Sequence, residues 1–318
     1  MSLPVSLQHL RLPVICAPMF IVSNPKLVVE QCKAGVVGSF PALNARGEGA
    51  LNEWLTGIKA ELVADEAAGG HPAPFAVNQI VHPSNNRLAE DIQVCLSHQV
   101  PVFITSLQAP PKELVDGAHA YGGIVLHDVI NVRHAKKALE AGVDGLILVA
   151  AGAGGHAGML SPFALVGEIR KFYDGLIVLS GSIATGDAIL GAQAMGADLA
   201  YMGTRFICTT EANADAAYKQ GIIDAAANDV IYTNLFTGVH GNYLRQSIVT
   251  AGLDPDNLPV ADKTKMNFGS GGNSAAKAWK DIWGVGQGVG LIDDAPSTAE
   301  LVDHLEMEYK AARARLAL

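Results

Sequence analysis

Short runs rich in valine, isoleucine and leucine alternate eight times with alanine-rich amphipathic stretches, the runs falling at 13–19, 36–40, 75–80, 101–107, 123–129, 145–151, 175–182 and 199–206. Runs of this length suit strands buried on both faces, and helical stretches between them suit the crossovers that parallel strands need. Helical spacing is read over 24–34, 84–98, 112–121, 132–142, 161–172 and 185–195. Several boundaries are punctuated: Asn24-Pro25 and Ser161-Pro162 pair an N-cap with a first-turn proline, while Gly142 and Gly196 follow as helix stops. Eight strand–helix units closing on themselves predict an α/β fold, a (β/α)8 TIM barrel. An open doubly wound sheet would instead announce a glycine fingerprint after its first strand, where this chain reads Ala17-Pro18-Met19-Phe20.

From residue 229 the rhythm gives way to Pro-, Gly- and Asn-rich sequence until about 290, and a last helical stretch follows over 298–316. The expected organisation is a barrel made of 1–228 and 291–318, with 229–290 as a smaller C-terminal cap beside the substrate. A length of 318 residues can bury a sizeable core and by itself fits one barrel with an appendage as well as two domains. The net charge of −9 and the absence of a basic cluster argue against nucleic acid as a partner and favour a small molecule. No apolar run approaches the ~20 residues of a membrane span, and residues 1–14 lack the order of a signal peptide, so the expected location is cytoplasmic. Cys16, Cys32, Cys95 and Cys208 show no CxxC spacing and read as reduced, buried thiols with neither a disulfide nor a metal. A homodimer stays open.

A barrel of this kind carries its chemistry at the C-terminal strand ends. Those ends hold Pro18 and Met19, Ser39, Asn78 and Gln79, Thr105 and Ser106, His127 and Asp128, residues 153–158, Gly181 and Ser182, and Gly203 and Thr204. The last two follow apolar strands as small-residue turns leading toward helices. Backbone N–H groups approach an anion closely at such turns, and loops after strands 7 and 8 are the usual phosphate grip of the fold. Flavin, sugar phosphate and pyridoxal phosphate all satisfy that grip. After strand 6, Gly154-Gly155-His156-Ala157-Gly158 sets an imidazole among glycines, a candidate for proton transfer or substrate orientation. His127 could face a flavin or cap the next helix, Thr105 and Ser106 could complete packing, and Trp279 and Trp283 could wall a substrate pocket. The strand ends lack the lysine or paired carboxylates that a sugar-phosphate lyase or isomerase would need. A flavin-binding protein without turnover would have no use for His156.

Further stretches complete a pattern: Ala17-Pro18-Met19, Val77-Asn78, His134-Ala135 through Gly142-Val143-Asp144-Gly145, Gly154-Gly155-His156, Gly181-Ser182-Ile183-Ala184, Met202-Gly203-Thr204-Arg205-Phe206, Phe236-Thr237-Gly238 and Gly286-Gln287-Gly288. In this order, over nearly the whole chain, the sequence resembles the nitronate monooxygenase family, formerly called 2-nitropropane dioxygenases, and the related flavin-dependent enoyl-ACP reductases of the FabK type. The resemblance implies FMN in the barrel mouth, its phosphate on Gly181, Ser182, Gly203 and Thr204. It sets the ring beside Ala17, Pro18, Met19 and Asn78, with Gly154, Gly155, His127 and Gln287 nearby. His156 falls on the family histidine, which takes a proton from a neutral nitroalkane or orients the nitronate. The implied reaction is oxidative denitrification, in which a nitronate and O2 give a carbonyl compound and nitrite. Gly152 stands where many relatives carry Glu, and His127 where a basic or small residue is frequent. An NAD(P)H-dependent reductase of a quinone or enoyl thioester is therefore the alternative.

Overall fold

A computed structural model describes residues 3–261 and 281–317. Eight parallel strands form one sheet: Val14–Cys16, Gly38–Pro41, Phe75–Val81, Val102–Leu107, Ile124–Val129, Gly145–Val149, Leu176–Ser180 and Leu199–Met202. They are called barrel strands 1 to 8 below. Strand 1 pairs with strand 8 through Ile15 and Tyr201, and a bridge between Ile15 and Val37 brings strand 1 against the start of strand 2, closing the barrel. Each strand lies within, or within one residue of, an apolar run read from the sequence. Strand 8 is shorter than its run because a helical turn, Thr204–Ile207, takes over the end.

Side-chain alternation divides the core into two shells. Ile15, Val37, Ala76, Ile104, Leu126, Ile147, Val178 and Leu199 point into the barrel, while Val14, Val77, Phe103, Val125, Leu148, Ile177 and Ala200 pack against the surrounding helices. The predicted helices appear at Pro25–Lys33, Leu88–Ser97, Lys112–His119, Val132–Glu140, Pro162–Arg170 and Gly186–Met195. Asn24 caps the first through its side chain, which accepts from the Leu27 N–H, whereas Ser161 caps without a side-chain bond. The list read from the sequence does not include the long helix Ala50–Ala67.

The last helix, Thr298–Arg315, begins with a capping box between Ser297 and Glu300 and packs between helices Gly186–Met195 and Pro25–Lys33. It completes the outer ring where an eighth helix belongs. After barrel strand 8, strands Val230–Thr233 and Gly241–Leu244 pair antiparallel and are joined by the two-residue strand Gly155–His156. Residues 262–280 of the expected cap, with Trp279 among them, lie outside the described residues. All four cysteines are buried. No helix among the described residues is long and apolar enough to cross a membrane.

Candidate active site

A cavity of about 1000 Å3 sits at the C-terminal ends of the barrel strands. Ala17, Pro18 and Met19 line it from strand 1, Asn78 from strand 3, Gly154, Gly155 and His156 from the loop after strand 6, Gly181 and Ser182 from that after strand 7, and Gly203 and Thr204 from that after strand 8. Among the residues expected at the site, His127 and Gln287 are not in this lining. Gln287 is exposed; its backbone N–H donates to the Gly152 carbonyl at 2.9 Å.

His127 is turned away because strand 5 alternates. Its neighbours Val125 and Val129 pack in the strand–helix shell, and the imidazole follows them, 3 % exposed, its Nδ1 lying 2.8 Å from Thr105 Oγ1. The Thr105 hydroxyl donates to the Leu126 carbonyl at 3.2 Å, so it accepts from the ring. Burial, reinforced by nearby His134, pushes the His127 pKa down to about 4. The residue expected beside a flavin is thus a neutral, hydrogen-bonded core histidine. Asp128, next along, takes the inward position and lines the cavity, as does Ser106 in place of Thr105.

The loops are tied together at Gly152. Its carbonyl accepts from the Ser182 N–H at 3.2 Å as well as from Gln287, so three separate turns meet on one oxygen. Gly152 has φ +84°, and a Cβ there would collide with the Ser182 hydroxyl, which explains why no larger residue stands at this position. The Gly286 N–H donates to Thr204 Oγ1 at 2.9 Å and fixes the turn after strand 8. Behind the turn after strand 7, the Thr185 side chain caps helix Gly186–Met195, and the anion at its N-terminal dipole end is the Glu308 carboxylate, which accepts from the Gly186 N–H at 2.7 Å.

His156 lies on the short strand that pairs with Gly241, which fixes its backbone over the mouth. Its Nε2 is 2.9 Å from Thr237 Oγ1. The Thr237 hydroxyl is also 3.0 Å from the Val239 carbonyl, and in the arrangement where it donates there it accepts from Nε2–H, which leaves Nδ1 as the basic nitrogen. Burial pushes the His156 pKa down to about 4, and the ring is neutral at pH 7. Thr237, which belongs to the Phe236-Thr237-Gly238 stretch, received no role from the sequence.

The barrel's uppermost inward residues form the cavity floor: Ala17, Asn78, Ser106, Asp128, Val149, Ser180 and Tyr201. Asp128 Oδ1 and the Tyr201 hydroxyl are buried there with no hydrogen-bond partner among the described residues. Burial raises the Asp128 carboxyl to about 7 and holds the Tyr201 phenol well above its ordinary range. Strand-end position alone did not single these two out, because it does not say which of two adjacent residues faces inward. Met19, Phe20, Trp54, Tyr218 and Trp283 supply aromatic and apolar wall, the last two stacked at 5.0 Å.

The family model described as nitronate monooxygenase matches residues 3–308. A nitronate monooxygenase of Paraburkholderia phytofirmans is 28% identical, the match covering 94% of this chain and 92% of that protein. Among solved structures, nitroalkane oxidase from Streptomyces ansochromogenes superposes with a TM-score of 0.78 at 23% identity, covering 97% of this chain and 98% of the other. FabK from Thermotoga maritima does so with a TM-score of 0.76 at 22% identity, covering 98% and 96%. These two show the shared barrel, and the family match over nearly the whole length, on a chain whose glycine turns and histidine meet at one cavity, establishes the rest: the chain belongs to the nitronate monooxygenase family and is an oxidoreductase.

Proposed function

We propose that this protein is an FMN-dependent enzyme that oxidises alkyl nitronates with O2 to a carbonyl compound and nitrite. The observation that carries the reading is the placing of one neutral histidine, His156, on the same cavity as the glycine turns after strands 7 and 8. FMN is compatible with the residues present. The turns at Gly181 to Ser182 and Gly203 to Thr204 suit a phosphate, and the partly polar floor leaves Asp128 Oδ1 and the Tyr201 hydroxyl unsatisfied, as expected where a polar ring belongs. When bound, FMN supplies an electron acceptor that O2 can reoxidise.

The chain's own contribution is to bind, orient and move one proton. His156 is held by Thr237 with Nδ1 as the basic nitrogen, so it can remove the α-proton of a neutral nitroalkane without first losing a proton of its own. The resulting imidazolium then sits beside the anion it has created. Met19, Phe20 and Trp283 keep water from the carbanion and accept an alkyl chain. Anaerobic mixing of the flavin-loaded protein with propyl-2-nitronate, followed by the visible spectrum, tests the reading. Bleaching by the nitronate is expected. Bleaching by NADH or NADPH and not by the nitronate would replace it with the reductase of a quinone or enoyl thioester.

A further inference from the structure

We propose that Asp128 and Tyr201 form a recognition pair for the imide edge of the flavin ring, the carboxylate accepting the ring N–H and the phenol donating to an adjacent carbonyl. The proposal rests on the reading of the cavity as an FMN site. Both side chains project inward from the top of the barrel, Asp128 on strand 5 and Tyr201 on strand 8, and both line the cavity. Tyr201 is 7% exposed. Below them on strands 5 to 8 the barrel is filled by Leu126, Ile147, Val178 and Leu199, and neither Asp128 Oδ1 nor the Tyr201 hydroxyl has a hydrogen-bond partner among the described residues. An unpaired buried hydroxyl or carboxyl oxygen costs stability, and such groups persist where a ligand completes them.

The chemistry of the pair selects among the ligands this site would hold. An ionised carboxylate only accepts hydrogen bonds, while a phenol on the same cavity can donate. The matching ligand edge therefore carries a donor next to an acceptor. A nitronate offers two acceptor oxygens and a negative charge, and a phosphate offers more of both, so Asp128 repels either once it is ionised, above pH about 7. The flavin imide offers an N–H flanked by two carbonyls, which matches. Asn78, Ser106 and Ser180 stand in the same floor layer and can complete the remaining bonds.

The test uses apoprotein prepared from the FMN-loaded enzyme and titrated with FMN and with N3-methyl-FMN, reading flavin fluorescence. The wild-type protein is expected to prefer FMN by roughly 10- to 150-fold, the scale of one hydrogen bond to a charged group. Asp128→Ala should weaken FMN by a similar factor and no longer distinguish the methylated analogue, and Asp128→Asn, which keeps an acceptor, should retain part of the preference. Tyr201→Phe should weaken FMN roughly 2- to 10-fold and keep the discrimination. Thermal melting of each apoprotein establishes that it is folded. If Asp128→Ala still discriminates, or if it leaves FMN binding unchanged while raising KM for the nitronate, the pair does not read the flavin. A wild-type protein that binds neither flavin would overturn the FMN reading itself and the pair with it.

Discussion

Burial makes His156 what it is. With a pKa near 4 the ring stays neutral across the physiological range, and Thr237 holds it through Nε2. If it is the base, His156→Asn should lower kcat/KM for nitroethane by ~10²–10⁴, while the already ionised nitronate should lose much less. Steady-state rates on both substrates with flavin-replete enzyme check this, and equal losses would leave His156 a binding residue only. Thr237→Val should shift the same ratio in the same direction by a smaller amount, since it frees the ring to turn. The turn after strand 8 gives a second contrast. Gly203→Asp puts a negative charge beside Ala17 and Met19, where the phosphate is expected, whereas Gly57→Asp adds the same charge on an exposed helix with nothing within 4 Å. FMN content after dialysis should fall in the first variant and not in the second; equal retention would remove the phosphate from that turn.

Strand parity decides which residues along each element can do chemistry, and it is where the sequence was hardest to read. The period of apolar runs located all eight strands, but adjacent polar pairs at a strand end, His127-Asp128 and Thr105-Ser106, look alike until the register is known. The inner residue of each pair meets the cavity and the outer one meets its counterpart in the helix shell. Helix starts show a related limit. The helix expected from residue 84 begins at Leu88 because Ser84 and Asn85 bond locally, Ser84 to His82 and the Asn85 side chain to the Arg87 N–H. The outer position of His127 has a thermodynamic consequence. Its folded pKa of about 4 lies below the usual 6.5, so between these values the unfolded chain binds a proton that the folded ring refuses. Stability therefore falls as pH drops through that window and is unaffected by this group above it. Urea melts of His127→Gln should show a flatter loss from pH 6.5 to 4 than the wild type, at unchanged FMN affinity. A parallel pair of curves would mean that the imidazole is not held neutral.

At the scale of the whole molecule the barrel is closed twice, once by strand 1 meeting strands 8 and 2, and once by helix Thr298–Arg315 filling the gap in the outer ring. Leu301, Val302 and Leu305 of that helix are buried in the strand–helix core, and Arg11, ahead of strand 1, pairs with its Asp303 and Glu306. The ion pairs are partly exposed and contribute little, so the apolar contacts carry the closure. Leu305→Ala should cost about 2–5 kcal/mol, the range for emptying a leucine site in a core. The same helix reaches the mouth side of the barrel, because the Glu308 side chain accepts from the Gly186 N–H, at 2.7 Å, at the start of the helix that follows the strand 7 turn. Two melting experiments separate closure from ligand binding. FMN at 100 times its Kd should stabilise the wild type by about 2.7 kcal/mol, because it binds the folded chain alone. Leu305→Ala should melt earlier with and without FMN and still gain nearly that increment, since the turns at Gly181 and Gly203 are intact. Gly203→Asp should melt close to the wild-type apoprotein and gain almost nothing from FMN. If Leu305→Ala instead abolished the FMN increment, the outer ring would be part of the binding site and not merely its support, and the division of the molecule into a supporting shell and an inward-facing site would have to be redrawn.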